Sequence, residues 1–539
     1  PPARRLEMPD ERIRGEFERI SAAGRRAVEL RDWAAVGRCA GELLRRDGTN
    51  PEGYFLSGLQ EKAAQRPIKA AEAFAKALEL DPGRYDAAIE LADQHSVGRR
   101  NAAAAAMLAR YEVMLKNSPR YLDMAGTVYS HIGMPERAWP LYQRANELQP
   151  GIPLFQANLA ACGVYLGKIA EAKAAYRALL ERVPTHQRNH YQLARLEQAK
   201  DNAHVEQMKA VLQSTRLPPD KNIFLYYAIG KELEDLGQWE EAFRYYQMAG
   251  DAVTSVAHYD VATDIALIDK IIEVCDADWL AAGPERAPTE VTGKTPIFIV
   301  GLPRTGTTLT ERIVASHSHV ESIGETQFMQ MMLRSVSGVE SVESMNPAMI
   351  EAVAQKDIGR IANGYLNAVN YRLGDTPFFI DKLPFNFLYL AFVAKAYPDA
   401  GLIYLRRNPM DTCFAMYKQV FTWAYKFSYS LEGLGRYYVA HDRLLRHWRG
   451  VLGERLIEIQ YESLVADQEG ETRRLLSRLG LEFEPACLEF EKNESASATA
   501  SSVQIREKIH ARSVNRWRHF ETQLRPLQSH LENAGILVD

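Results

Sequence analysis

Cysteine is scarce. The 539 residues hold five (Cys39, Cys162, Cys275, Cys413 and Cys487), scattered, odd in number and never spaced as C-x-x-C. That pattern excludes a disulfide framework and a thiolate zinc cluster, and it fits a reducing cytoplasm. Net charge is also small, −4 at pH 7 with 25% charged residues. No global field therefore draws the chain to nucleic acid or to an anionic membrane, and any anion site has to be local. No apolar run reaches the roughly 18 residues of a membrane-spanning helix. The opening Pro1-Pro-Ala-Arg-Arg-Leu6 lacks the apolar centre of a secretory signal. Because the sequence opens on Pro1 rather than Met, room is left for a trimmed targeting segment upstream.

What is present is enough apolar residue, 46%, for more than one core, and a chain of this length divides into two or more domains. The first half is periodic. An Ala is followed four residues later by an aromatic and eight residues after that by Pro in Ala70-Phe74-Pro82, Ala138-Tyr142-Pro150 and Ala172-Tyr176-Pro184, with Met in place of Ala in Met107-Tyr111-Pro119. A small residue and an aromatic at i and i+4 share a helix face, and Pro stops the helix before the next begins. Gly133, Gly167 and Gly237 stand five residues before the Ala of their units, where a left-handed turn residue is useful. The spacing brackets the 34-residue tetratricopeptide period, and the segments resemble tetratricopeptide repeats over residues 10–255. The resemblance implies an all-α solenoid. The array either offers a concave face to a protein partner, packs against the second half, or pairs two copies of the chain; Tyr111, Tyr142 and Tyr176 are expected in its core. Residues 256–295 read as a helical connector and a polar linker.

The second half, 296–539, carries the chemistry. Ile297-Phe-Ile-Val300 is a short apolar run suited to a central parallel strand, and Leu309, Ile313 and Val314 share one face of a following helix. Between them lies Gly301-Leu-Pro-Arg304-Thr305-Gly306-Thr307-Thr308. Strand, glycine loop and helix make an anion cradle, with loop and first-turn amides converging at the positive end of the helix dipole. The nucleotide-loop frame is kept, but the lysine expected after the second glycine is Thr307, which argues against an ordinary ATPase or GTPase. Arg304 inside the loop supplies forked donors instead.

Pro303-Arg-Thr-Gly-Thr-Thr-Leu309 resembles the phosphosulfate loop of sulfotransferases, in the branch of tyrosylprotein sulfotransferases and bacterial tetratricopeptide-containing sulfotransferases. The likeness continues through four further segments. Gly324-Glu325-Thr326 resembles the segment of the catalytic base, Asp381-Lys382-Leu-Pro384 a strand-end segment, Arg407-Asn408-Pro409 the 3′-phosphate signature, and Tyr461-Glu-Ser-Leu-Val465 the end of a third strand begun at Leu456. Thr499 to Gln504 and Arg512-Ser513-Val-Asn-Arg516-Trp517 resemble the segment that closes over the donor. One departure is clear: the family serine eight residues after Arg407 is Ala415.

The resemblance implies an α/β, P-loop-like fold with a central parallel sheet. It implies transfer of a sulfonate group from 3′-phosphoadenosine-5′-phosphosulfate to an acceptor hydroxyl, releasing 3′,5′-adenosine bisphosphate. Glu325 would be the base, with Arg304, Lys382 and Ser501 assisting. Thr305, Gly306, Thr307, Thr308, Arg407, Tyr461, Arg512, Ser513 and Arg516 would join Arg304 in holding the donor. No metal is expected, because Arg304 and Lys382 supply the positive charge. The implied setting is the cytoplasm of a bacterium, and the acceptor a peptide, protein or saccharide. A nucleoside-triphosphate-dependent kinase is weakened by Thr307. A repeat scaffold with an inactive sulfotransferase-like domain has only Ala415 in its favour.

Overall fold

Proline sets the frame of the first half. The helices Pro51–Ala63, Pro67–Leu80, Pro119–His131, Pro135–Leu148 and Pro153–Tyr165 each begin with Pro, where its missing N–H breaks no intrahelical bond and its fixed φ suits helix entry. Gly133, Gly167 and Gly237 close the turns between paired helices with φ of 83°, 77° and 73°. The structure, a computed structural model, describes residues 9–282, 293–341, 345–421, 424–497, 499 and 502–538. Most of the polar stretch before residue 296 lies outside them. No described helix is long and apolar enough to cross a membrane.

Phe74, Tyr111, Tyr142 and Tyr176 are all buried. Several of these rings face a glycine on the preceding helix. A Cβ on Gly126 would stand 2.9 Å from the Tyr142 ring, and one on Gly230 2.7 Å from Tyr246. The glycine therefore admits the ring and sets the distance between the helices of a pair.

The chain divides into two compact units between Cys162 and Gly163, inside the segment 10–255 read as the repeat array. The second unit keeps the later repeat helices because they share a core with the sheet domain. Tyr227 on Ile223–Asp235 meets Tyr429 at a ring-centroid distance of 6.5 Å, and Phe243 on Trp239–Ala257 meets Tyr417 at 5.9 Å.

Five parallel strands form the sheet: β1 (Thr295–Gly301), β2 (Val320–Ser322), β3 (Phe378–Asp381), β4 (Gly401–Arg406) and β5 (Leu456–Gln460), in the order β2-β3-β1-β4-β5. Ile297 to Val300 are fully covered, as the unbroken apolar run requires of a central parallel strand. From β1 the chain runs first to β2 and β3 on one side of it and then crosses to β4 and β5 on the other, which opens a crevice at the carboxyl end of β1. One element differs from the sequence reading. The third strand does not run on from Leu456 to Val465: it stops at Gln460, and Tyr461–Ala466 is a helix. Its neighbour β4 ends at Arg406, opposite Gln460, so the ladder offers no partner beyond that point.

Gly126→Val is expected to cost about 1–3 kcal/mol by overpacking against Tyr142. Thermal or urea unfolding followed by circular dichroism checks this; an unchanged melt would show that the helix pair can open without cost.

Candidate functional site

The loop after β1 is built from backbone that few residues adopt. Gly301 has φ 146°, Arg304 70° and Gly306 102°. Side chains are also excluded: a Cβ on Gly301 would lie 2.6 Å from the Leu405 carbonyl oxygen, and one on Gly306 2.6 Å from the Tyr461 ring. Gly306 begins the helix Thr307–Val314 without a side-chain cap, so the first-turn donors face a space rather than a carboxylate. Thr305 is buried and its Oγ1 donates to the Leu302 carbonyl at 2.7 Å, bracing the turn.

This loop floors a cleft of about 210 Å³, lined among others by Arg304, Thr308, Glu325, Arg407, Tyr461 and Ser513, and also by Gly306 and Thr307. Beneath Glu325 sits Lys382, at the end of β3 and fully buried. Its Nζ donates to Glu325 Oε1 and stands 3.5 Å from Glu311 Oε2. Burial alone would lower the ammonium's pKa, but the two carboxylates outweigh it and hold it above its ordinary value. Glu311 Oε1 in turn accepts from Ser322 Oγ at 2.6 Å, and the Lys382 amide donates to the Gly324 carbonyl at 3.0 Å. The ends of β2 and β3 are thereby tied together around one charge.

Arg407, at the end of β4, is 8% exposed. Its Nη1 donates to the Arg304 carbonyl at 2.9 Å, its Nη2 donates to the Ser513 carbonyl, and its guanidinium stands 4.9 Å from the centre of the Tyr461 ring. Among the described residues its Nε has no hydrogen-bond partner, a buried donor of the kind an anion satisfies. Arg304 is depressed to about 10 by burial first and by Arg407 next. Its Nη2 donates to Gln504 Oε1 at 3.1 Å, and Thr308 Oγ1 meets Thr499 Oγ1 at 3.4 Å. Thr499 and Gln504 therefore lie over the loop. Arg312, on the loop helix, holds the residues before them, donating to the Asn493 side chain at 3.0 Å and to Ser495 Oγ at 2.6 Å.

Not every sequence-predicted residue meets in this cleft. Arg512 is drawn to Glu507, and Arg516 Nε donates to Glu234 Oε1 at 2.9 Å; both line an adjoining cavity. Ser501 lies outside the described residues. Several neighbours escape sequence reading. Glu311 looks like any helix carboxylate, Gln504 gains meaning only once its segment folds over the loop, and Glu234 belongs to a repeat helix. The spacing His186-x-x-x-His190 is metal-like but spent on structure: His186 Nδ1 accepts from the Asn189 amide at 3.3 Å, while His190 bonds His204 and the Pro184 carbonyl. Among the described residues no group of three metal-binding side chains converges.

Residues 296–485 match the model of the sulfotransferase family. They form a sulfotransferase-family domain. An uncharacterized protein of Aquifex aeolicus (strain VF5) is 29% identical over 330 residues, covering 60% of this chain and 43% of that protein. A protein-tyrosine sulfotransferase of Drosophila melanogaster is 22% identical over 231 residues, covering 41% of this chain and 46% of its own. The chain thus spans less than half the length of either relative. Among solved structures, the sulfotransferase domain from the curacin biosynthetic pathway matches at 14% identity with a TM-score of 0.33, covering 46% of this chain and 99% of its own. YrrB, a tetratricopeptide-repeat protein with an unusual peptide-binding site, matches at 18% identity with a TM-score of 0.28, covering 38% and 96%.

Next to Lys382, Asp381 is fully buried and accepts from Thr326 Oγ1 at 2.6 Å and Tyr365 Oη at 2.8 Å. Burial pushes it up from 3.8 to about 7, against those hydrogen bonds. The folded state therefore holds this proton more tightly than the unfolded chain does. The associated stability is complete below pH 3.8 and is lost as pH rises through about 7. Asp381→Asn, which cannot ionise, is expected to flatten that fall. Melting temperatures of both proteins between about pH 4 and 8 check it, and parallel profiles would remove Asp381 from this role.

Proposed function

We propose that this chain moves a sulfonate group from 3′-phosphoadenosine-5′-phosphosulfate to an acceptor hydroxyl. The observation that carries the reading is the buried Lys382 ammonium under Glu325, at the mouth of a phosphate-type loop that has Thr307 where nucleotide-hydrolysing loops have lysine. A buried cation beside a carboxylate, next to an anion cradle, suits charge that builds on a leaving oxygen while an acceptor loses its proton.

The residues present fit such a donor. It has two anionic ends, and the cleft has two cationic places, Arg304 in the loop and Arg407 with its unsatisfied Nε. Arg304, Thr305, Gly306, Thr307 and Thr308 would hold the phosphosulfate. Arg407 and Ser513 would face the 3′-phosphate side, and Tyr461, already packed on Gly306, would border the adenine. When bound, the donor supplies an activated sulfonate whose bond to phosphate oxygen is exchanged for one to the acceptor oxygen. The rest falls to this chain's own groups. Glu325 takes the acceptor proton. Lys382 donates toward the bridging oxygen, and Arg304 offsets charge on the loop side. Arg512 and Arg516 reach the donor only by leaving Glu507 and Glu234, so their weight in the site is smaller.

Beside Glu325 the cleft is walled by Leu309, Pro384, Phe421 and Tyr425. That apolar and aromatic wall, with the likeness to a protein-tyrosine sulfotransferase, favours a hydroxyl carried on an apolar ring, as on a tyrosyl side chain of a peptide or protein.

Incubation with radiolabelled donor and a panel of tyrosyl peptides, saccharides and simple phenols tests the activity. Glu325→Gln is expected to lower transfer by at least about 100-fold while 3′,5′-adenosine bisphosphate still binds by calorimetry. Full activity in that variant would remove Glu325 from its role, and no transfer to any class by the unaltered chain counts against the reading itself.

A further inference from the structure

A second cavity, of about 360 Å³, adjoins the donor cleft and shares Arg304, Arg407, Gln504 and Ser513 with it. Its far wall is not part of the sulfotransferase-family domain. Arg195 comes from the end of the repeat helix Gln187–Leu196 and Gln198 from just beyond it, and Lys231 and Glu234 come from Ile223–Asp235. The near wall carries Ala415 and Lys418. Where sulfotransferases of this kind place a serine, this wall has a methyl group, so it offers no donor at that point.

The cavity is nonetheless built for an anion. Its carboxylates are engaged. Glu234 Oε1 takes Lys418 Nζ at 2.6 Å and Arg516 Nε at 2.9 Å, and its Oε2 takes Tyr246 Oη at 2.8 Å. Asp235 pairs with Lys231 at 2.6 Å, Glu507 with Arg512, and Glu197 with Arg177. Asp411 accepts the Asn515 and Trp517 amides at 2.6 and 3.0 Å and lies 3.7 Å from Arg407. Seven basic side chains line the space against five acidic ones, an excess that leaves the cavity positive. Burial, then Arg407, then Arg195 depress Arg304, and all three guanidinium groups line this cavity, so an anion among them relieves the repulsion felt by Arg304.

Arg195 is also held in place rather than left to wander. Its Nη1 donates to Gln192 Oε1 at 3.2 Å, and its guanidinium lies 5.5 Å from the centre of the Tyr191 ring. The Tyr191 hydroxyl accepts from Gln419 Nε2 at 3.0 Å, so the residue next to Lys418 anchors the platform on which Arg195 rests. Lys418 in turn stands one helical turn beyond Ala415, on the same face.

We propose that Arg195, delivered by the repeat array, binds the 3′-phosphate group of the donor opposite Arg407, with Lys418 beside it, in place of the serine missing at Ala415. The proposal rests on the donor reading above. It makes the last repeats a wall of the donor site, in addition to any role in recognising an acceptor.

Calorimetry on the full chain with 3′,5′-adenosine bisphosphate and with adenosine 5′-monophosphate separates the two claims. The unaltered chain is expected to prefer the bisphosphate. Arg195→Ala is expected to weaken bisphosphate binding on the order of 10- to 100-fold, the worth of one charge-assisted hydrogen bond, and to leave the 5′-monophosphate unchanged. Arg195→Lys should retain part of the affinity, and Ala415→Ser placed in the Arg195→Ala chain should recover part of it. Arg195→Gln, which keeps an extended side chain, replaces the alanine variant if that one melts early. An undiminished preference for the bisphosphate in the Arg195 variants, or equal loss for both nucleotides, overturns the role of Arg195 and leaves the donor reading standing. Binding of neither nucleotide by the unaltered chain overturns the donor reading, and this inference with it.

Discussion

A lysine ammonium without solvent exposure is costly unless its charge is answered nearby. Lys382 is answered twice, by Glu325 from the loop after β2 and by Glu311 from the helix after β1. Around that one charge the ends of β1, β2 and β3 acquire fixed relations. Glu311 is steadied by Ser322, the Lys382 amide by Gly324, and the neighbouring Asp381 by Thr326 and Tyr365. The loop after β1 borders the same cleft as Glu325, the carboxylate that answers this charge. A carboxylate placed against a buried cation also has a defined direction, which a solvated surface carboxylate has not.

The same economy of charge joins the repeats to the sheet domain within the second compact unit. Glu234 belongs to a repeat helix, yet its partners Lys418 and Arg516 come from segments on either side of β5. Around this ion cluster the aromatic rings of the repeat helices, Tyr227, Phe243 and Tyr246, pack against Tyr429, Tyr417 and Phe414. A polar knot inside an apolar contact fixes register, because sliding the surfaces would strand a buried carboxylate. Repeat helices that are usually discussed as binding surfaces are here part of the core behind the cleft.

Much of the fold is legible in the sequence, and for local reasons. The Ala–aromatic–Pro rhythm marks helix pairs because small, large and helix-stopping residues each have one place in such a pair. Ile297 to Val300 marks a central strand because both its faces must be dry. The loop from Gly301 to Thr308 marks a tight strand-to-helix turn because glycine readily takes two of its conformations. The strand at Leu456 reads five residues too long in the sequence, since its limit is set by where β4 ends and not by anything in Tyr461–Ala466 itself. Among the candidate residues, Arg304, Glu325 and Arg407 face one cleft, whereas Arg512 and Arg516 turn to carboxylates that no motif predicts.

The sequence by itself determined the features that neighbours along the chain dictate: the helix pairs, the buried strands, the glycine loop after β1 and the kinds of chemistry its side chains offer. Tertiary structure alone decided which distant groups share a space. Glu311 and Glu325 meet at one ammonium, Arg195 of a repeat helix faces the same cavity as Arg407, and the repeat array is divided at Cys162 rather than at its last repeat. The physical reason is range. Backbone preference and periodic burial act over a few residues and are written locally, while the balance of buried charge is settled only when segments hundreds of residues apart exclude water together.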